Sequence, residues 1–182
     1  PDTTVYTPDS ALYEIPNEGM EFDDPDKYSS LSVLNGYLTD NDQLSVVVEI
    51  GDVDGNGITD LAAGAPNGSN GGRGVVYIMM RDTNYAVSSV QEISISSGNL
   101  GISLNAAARF GSDIIPMGNL DGEKGPDIAV GIPLFKPASK LKGAVAFLYL
   151  DTNGTVDHSR IITDTSANFL DTLMGSVRFG EK

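Results

Sequence analysis

The chain repeats itself, and the repeat leaves few folds open. Residues 51–60 (GDVDGNGITD) align with residues 118–127 (GNLDGEKGPD), and residues 61–66 (LAAGAP) align without a gap with residues 128–133 (IAVGIP), a constant offset of 67. From Gly74 onward the offset is 69: residues 74–78 (GVVYI) align with 143–147 (GAVAF), Asp82-Thr83-Asn84 with Asp151-Thr152-Asn153, and Arg109-Phe110-Gly111 with Arg178-Phe179-Gly180. The two-residue slip falls between Pro66 and Gly74, in a Gly/Asn/Ser-rich stretch where insertion is cheap. Self-similarity at this period means a unit that buries its apolar face only against its neighbours.

Each copy reads as four short strands. In copy one they cover 45–50, 61–65, 75–80 and 87–94; in copy two they cover 112–117, 128–132, 144–150 and 156–163. Asn153-Gly154 is a hairpin signal between the last two. Four antiparallel strands per repeat fit a propeller blade better than a sandwich. The 21 glycines suit many tight turns. The only helical signal is brief, at Asn105–Ala108. The expected organisation is residues 1–42 as an N-terminal arm or the remnant of a preceding blade, 43–109 as repeat one, 110–178 as repeat two, and 179–182 as the start of a third. Closed propellers have about four to eight blades, so an incomplete propeller segment of a longer chain is expected.

The loop between the first two strands of each copy carries the chemistry. Copy one places Asp52, Asp54, Asn56 and Asp60 at loop positions 1, 3, 5 and 9, with the Ile58 carbonyl at position 7. Calcium takes about six to eight hard oxygen ligands, and alternating acidic and amide side chains wrap one ion. Gly55 and Gly57 permit the tight backbone path. An EF-hand would need Glu at position 12, where Ala63 stands, and flanking helices, so the shorter strand-to-strand loop is the better reading. Magnesium, with its small rigid octahedron, is disfavoured. Copy two offers Asn119, Asp121, Glu123 and Asp127 with the Gly125 carbonyl; Asn at position 1, Glu at 5 and Lys124 at 6 make it a weaker ligand set.

Composition excludes several classes. A net charge of −14 repels nucleic acid. With no Cys, disulfides, thiolate catalysis and Cys-based metal sites are ruled out. No apolar run approaches the roughly 18 to 20 residues that span a bilayer. The chain begins at Pro1, so the lack of a leader places it in no compartment.

These residues resemble the FG-GAP repeats of integrin α-chains and, more closely, the tandem FG-GAP repeats of large secreted proteins. The resemblance rests on Phe110-Gly111 and Phe179-Gly180, on Gly64-Ala65-Pro66 and Gly131-Ile132-Pro133, and on the two acidic loops; it covers about residues 43–182. Copy one has Gln43-Leu44 where Phe-Gly would stand, and copy two has Ile132 for Ala. The resemblance implies an all-β fold of four-stranded antiparallel propeller blades, Ca2+ in the loops, and an extracellular or cell-surface adhesion role with protein or glycan ligands on a propeller face.

The remaining features are plainer. His158, the only histidine, has no nucleophile or metal partner placed by spacing and reads as a surface residue. Asn67 and Asn153 head glycosylation sequons in expected turns. Tyr77, Ile78, Phe147 and Tyr149 read as blade-packing residues, Phe110 and Phe179 as plugs between blades, and Asp23-Asp24-Pro25-Asp26 as a solvated loop. No catalytic constellation is present. The sequence therefore favours a calcium-stabilised, non-catalytic adhesion or binding module. The alternatives are a building block of an extracellular filament, surface appendage or matrix, in which further copies or blades are the partners, and an accessory domain of a secreted enzyme.

Overall fold

The computed structural model describes residues 33–34, 36–38, 42–68, 71–123, 125–136, 142–166 and 178–181. Eight strands form two four-stranded antiparallel sheets with consecutive neighbours. The first holds β1 (Val46–Gly51), β2 (Asp60–Ala65), β3 (Val75–Arg81) and β4 (Val87–Ile93); the second holds β5 (Ile114–Gly118), β6 (Asp127–Ile132), β7 (Ala144–Leu150) and β8 (Val156–Ile162). The strands match the sequence reading to within one or two residues. Each sheet is a four-stranded antiparallel meander, consistent with the expected propeller blades, so the all-β fold class holds. Bulges recur at matched places, at Glu49/Gly51 and Met80/Arg81 in the first sheet and at Pro116/Gly118 and Tyr149/Leu150 in the second.

The sheets stack face to face. Ala62, Val76, Ile78 and Met80 from the first share one buried cluster with Ile128, Val130, Ala144, Ala146 and Leu148 from the second. On the other face of the first sheet, Leu61, Ala63, Val75, Tyr77 and Met79 are buried with Leu34, and Leu38 and Leu44 pack alongside. Central strands covered on both faces cannot alternate apolar with polar, which is why β2 and β6 read as unbroken runs of small apolar residues. By alignment, Val145, Phe147 and Tyr149 match Val76, Ile78 and Met80; they are half-buried and face away from the first sheet.

The Phe-Gly and Gly-Ala-Pro signatures belong to one staple. Phe110 is fully buried in the inter-sheet cluster and pairs with Gly74 in a parallel bridge; Phe179 pairs with Gly143 in the same way. Gly111 N–H donates to the Gly131 carbonyl of the second sheet, while its own carbonyl accepts from Ser45 Oγ at 2.9 Å and lies over Gly64 of the first. A Cβ on Gly64 would sit 2.0 Å from that carbonyl oxygen, and one on Gly131 would sit 2.1 Å from the Gly180 oxygen. The glycine is required because backbone crosses directly above it. Gly64→Ala is therefore expected to cost about 3 kcal/mol or more through overpacking against immovable backbone. Urea unfolding would measure it, and a loss below about 1 kcal/mol would sink this account of the signature.

One expectation fails. Asn105–Ala108 is a turn, with Ala108 N–H donating to the Asn105 carbonyl and Ala107 at φ 56°. Its backbone is committed elsewhere: Ala107 N–H donates to Gly71 and Phe110 N–H to Arg73. Tertiary hydrogen bonds that seat Phe110 override the local helical preference of alanine.

Candidate metal centre

The first acidic loop joins β1 to β2, and the bulge at Glu49/Gly51 turns the chain out of the sheet as it enters the loop. Asp52 Oδ1 accepts from the N–H groups of Gly55 (2.8 Å) and Asn56 (3.0 Å), and its Oδ2 accepts from Gly57 N–H (2.8 Å). Asp54 accepts from Asn56 through both its backbone N–H and its side-chain Nδ2, each at 3.1 Å. Asn56 Oδ1 accepts from Ile58 N–H, and Asn56 Nδ2 donates to the Arg81 carbonyl, both at 2.7 Å. Asp60 is buried at the start of β2, where its two oxygens accept from Val53 and Arg81 N–H at 2.7 Å each. Gly55 and Gly57 sit at φ 79° and 86°, a path ordinary side chains resist.

This curl brings carboxylate oxygens of Asp52, Asp54 and Asp60 within 4.8 Å of one another. Burial raises the Asp60 pKa above its ordinary value; the N–H groups of Arg81 and Val53 oppose the rise, and the charges of Asp54 and Asp52 add to it. The Arg81 guanidinium is turned elsewhere, to Glu49 and the Thr59 carbonyl. The donor set is all oxygen and hard, each of the three carboxylates keeps at least one lone pair beyond its N–H contacts, and no ion pair to the cluster occurs among the described residues. The residues fit a calcium ion.

The second loop, between β5 and β6, is built differently. Asn119 Oδ1 accepts from Gly122 N–H at 2.7 Å, but its Nδ2 donates to the Glu123 carbonyl. Asp121 Oδ1 accepts from Glu123 N–H at 3.0 Å. Asp127 accepts from Leu120 N–H, and burial raises its pKa. Gly125 has φ 113° and lies against the Leu150 carbonyl. Among the described residues, the one group of three acidic side chains converging this closely is in the first loop. Lys124 lies outside the described residues.

Sequence reasoning missed Arg81 and Glu49. Arg81 is fully buried at the end of β3, and its Nη2 pairs with Glu49 Oε1 at 3.3 Å. The available signal was a charged residue closing an apolar strand where copy two has Leu150. Elsewhere, His158 is exposed, bonded to Asp157 at 2.9 Å and stacked on Tyr149 at 4.0 Å. Asn153 is exposed in the β7–β8 turn, whereas Asn67 Nδ2 is bound to Gln43 Oε1 at 2.6 Å. Ser69 and the Asp23–Asp26 stretch lie outside the described residues. No helix among the described residues is long and apolar enough to cross a membrane.

Residues 47–79, from β1 through the acidic loop to β3, match the family model of the FG-GAP repeat. No curated protein matches the chain.

Proposed function

We propose, from the FG-GAP repeat that occupies residues 47–79, that the chain is a calcium-stabilised, non-catalytic binding module of an extracellular or cell-surface protein, with a protein or glycan as ligand. The observation that carries this reading is the convergence of Asp52, Asp54 and Asp60. Three carboxylates at that separation repel unless a cation sits among them. The Ile58 carbonyl and Asn56 complete the set in the first loop; Asn119, Asp121, Glu123, Asp127 and the Gly125 carbonyl form a weaker second set. Calcium acts as a clip between the first two strands of a blade, and ligand contact falls to the loops around it.

Isothermal titration with calcium chloride after exhaustive chelation tests the metal reading. A dissociation constant of order 0.1–1 mM, the range of extracellular modules, is the expected result. No heat above dilution, with the chain folded by circular dichroism, would refute it. A screen of the calcium-loaded chain against glycan and matrix-protein arrays tests the binding role; retention of no ligand favours the second reading.

That second reading, a building block of a filament or matrix, is favoured by the outer face of the second sheet. Val145, Phe147 and Tyr149 stand in the register by which Val76, Ile78 and Met80 receive the second sheet. Self-association that Phe147→Asp abolishes would support this role over ligand binding.

A further inference from the structure

We propose that Arg81 is the positioning residue of the first acidic loop: its guanidinium, anchored on Glu49, fixes the Thr59 peptide so that Ile58 and Asp60 on either side are held for the ion. The inference rests on the calcium reading and deepens it. Residue 81 touches the loop at three points. Its N–H donates to Asp60 Oδ1 at 2.7 Å, its carbonyl accepts from Asn56 Nδ2 at 2.7 Å, and its Nε donates to the Thr59 carbonyl at 2.5 Å. Any residue would supply the two backbone contacts; only the arginine side chain supplies the third. Nη2 reaches back to Glu49 on β1, so the guanidinium ties the strand that enters the loop to the residue just before the strand that leaves it. Tyr85 covers the guanidinium at 5.5 Å.

Stability of the blade does not account for this arginine. Its side chain is 1% exposed, and Nη1 has no hydrogen-bond partner among the described residues, an arrangement that disfavours folding. The second blade solves the same position with Leu150, and Pro116 stands where Glu49 does; there the strand end packs as ordinary core. The blade that keeps the buried arginine is the one whose three carboxylates converge. Groups behind metal ligands set ligand orientation, and their loss weakens binding without removing a ligand.

The test uses the full chain with its second loop silenced by Asp121→Ala. Arg81→Leu, Arg81→Lys and Glu49→Gln are made in that background. Each is titrated with calcium chloride by calorimetry and melted in calcium and in EGTA. Arg81→Leu is expected to raise the calcium dissociation constant about tenfold or more. Its melting temperature in EGTA should stay close to the parent's, because leucine suits this register in the second blade. Arg81→Lys keeps the charge but loses the fork, and should also weaken binding; Glu49→Gln should weaken it by a smaller factor. Unchanged affinity in the arginine variants overturns the proposal, as does an equal melting loss with and without calcium, which marks a merely structural residue. If Arg81→Leu does not fold, Arg81→Lys and Glu49→Gln decide by the same readouts. A parent that takes up no calcium fails the metal reading itself, whereas a parent that binds alongside variants of equal affinity fails the arginine assignment alone.

Discussion

Phe110→Ala is expected to lower the unfolding free energy by about 3–5 kcal/mol, the cost of emptying a fully buried aromatic site. The ring is 0% exposed and lies in the cluster that joins the two sheets. Its neighbours cannot collapse into the void, because Gly74 backbone is held against Phe110 by the parallel bridge and Gly111 is pinned between Gly64 and Gly131. The loss should appear as one cooperative transition at a lower urea midpoint, since the cluster belongs to both blades. Phe179→Ala supplies the control. Phe179 makes the matching bridge to Gly143 but is only partly buried, so its removal should cost less than half as much. Equal losses at the two positions would mean that the phenylalanine acts within its own backbone turn and not as a plug between sheets.

The eight strands were legible because the sequence states them twice. A short apolar run such as residues 61–65 is ambiguous alone, but its match with residues 128–132 fixes both the period and the loop before it. The acidic loop was legible for a related reason: its pattern is local, and Asp52, Asp54 and Asp60, which the fold brings together, lie within nine residues. What depended on contacts distant in sequence was not legible. Alanines at 106–108 favour a helix locally, yet the N–H groups of Ala107, Arg109 and Phe110 are drawn to residues 71–73 across the fold. Arg81 looks like a strand end until β1 and β3 are placed on either side of β2 and Glu49 comes within 3.3 Å. The pairing of the two signature glycines, Gly64 beneath the Gly111 carbonyl, likewise appears only when the second blade is laid on the first. Each motif was visible by itself, but the reason the motifs occur together is a three-dimensional one.

Calcium at about 100 times its dissociation constant is expected to stabilise the chain by about 2.7 kcal/mol, which for a domain of this size raises the melting temperature by about 5–11 °C. Asp54→Asn should remove most of that gain and, in chelator, melt at or slightly above the parent. The crossing of the two effects distinguishes a metal site from an acidic turn. Asp54 is exposed and, among the described residues, bonded to Asn56 alone, so the amide keeps its shape while removing one of the charges that push the Asp60 pKa upward. In the metal-free chain the sign with pH follows from that upward shift. A carboxyl that is harder to ionise when folded than the usual 3.8 costs nothing below that value. It opposes folding progressively as pH rises through its folded-state pKa, and by a constant amount above. Metal-free stability should therefore fall over that rise in pH, less steeply in Asp54→Asn, and saturating calcium should reverse the slope, because the ion binds the ionised form. Differential scanning fluorimetry across pH with calcium and with EGTA reads both slopes. A parent chain whose melting temperature ignores calcium at neutral pH, after verified removal of the metal, would leave the three carboxylates as a solvated turn and end the case for a calcium clip.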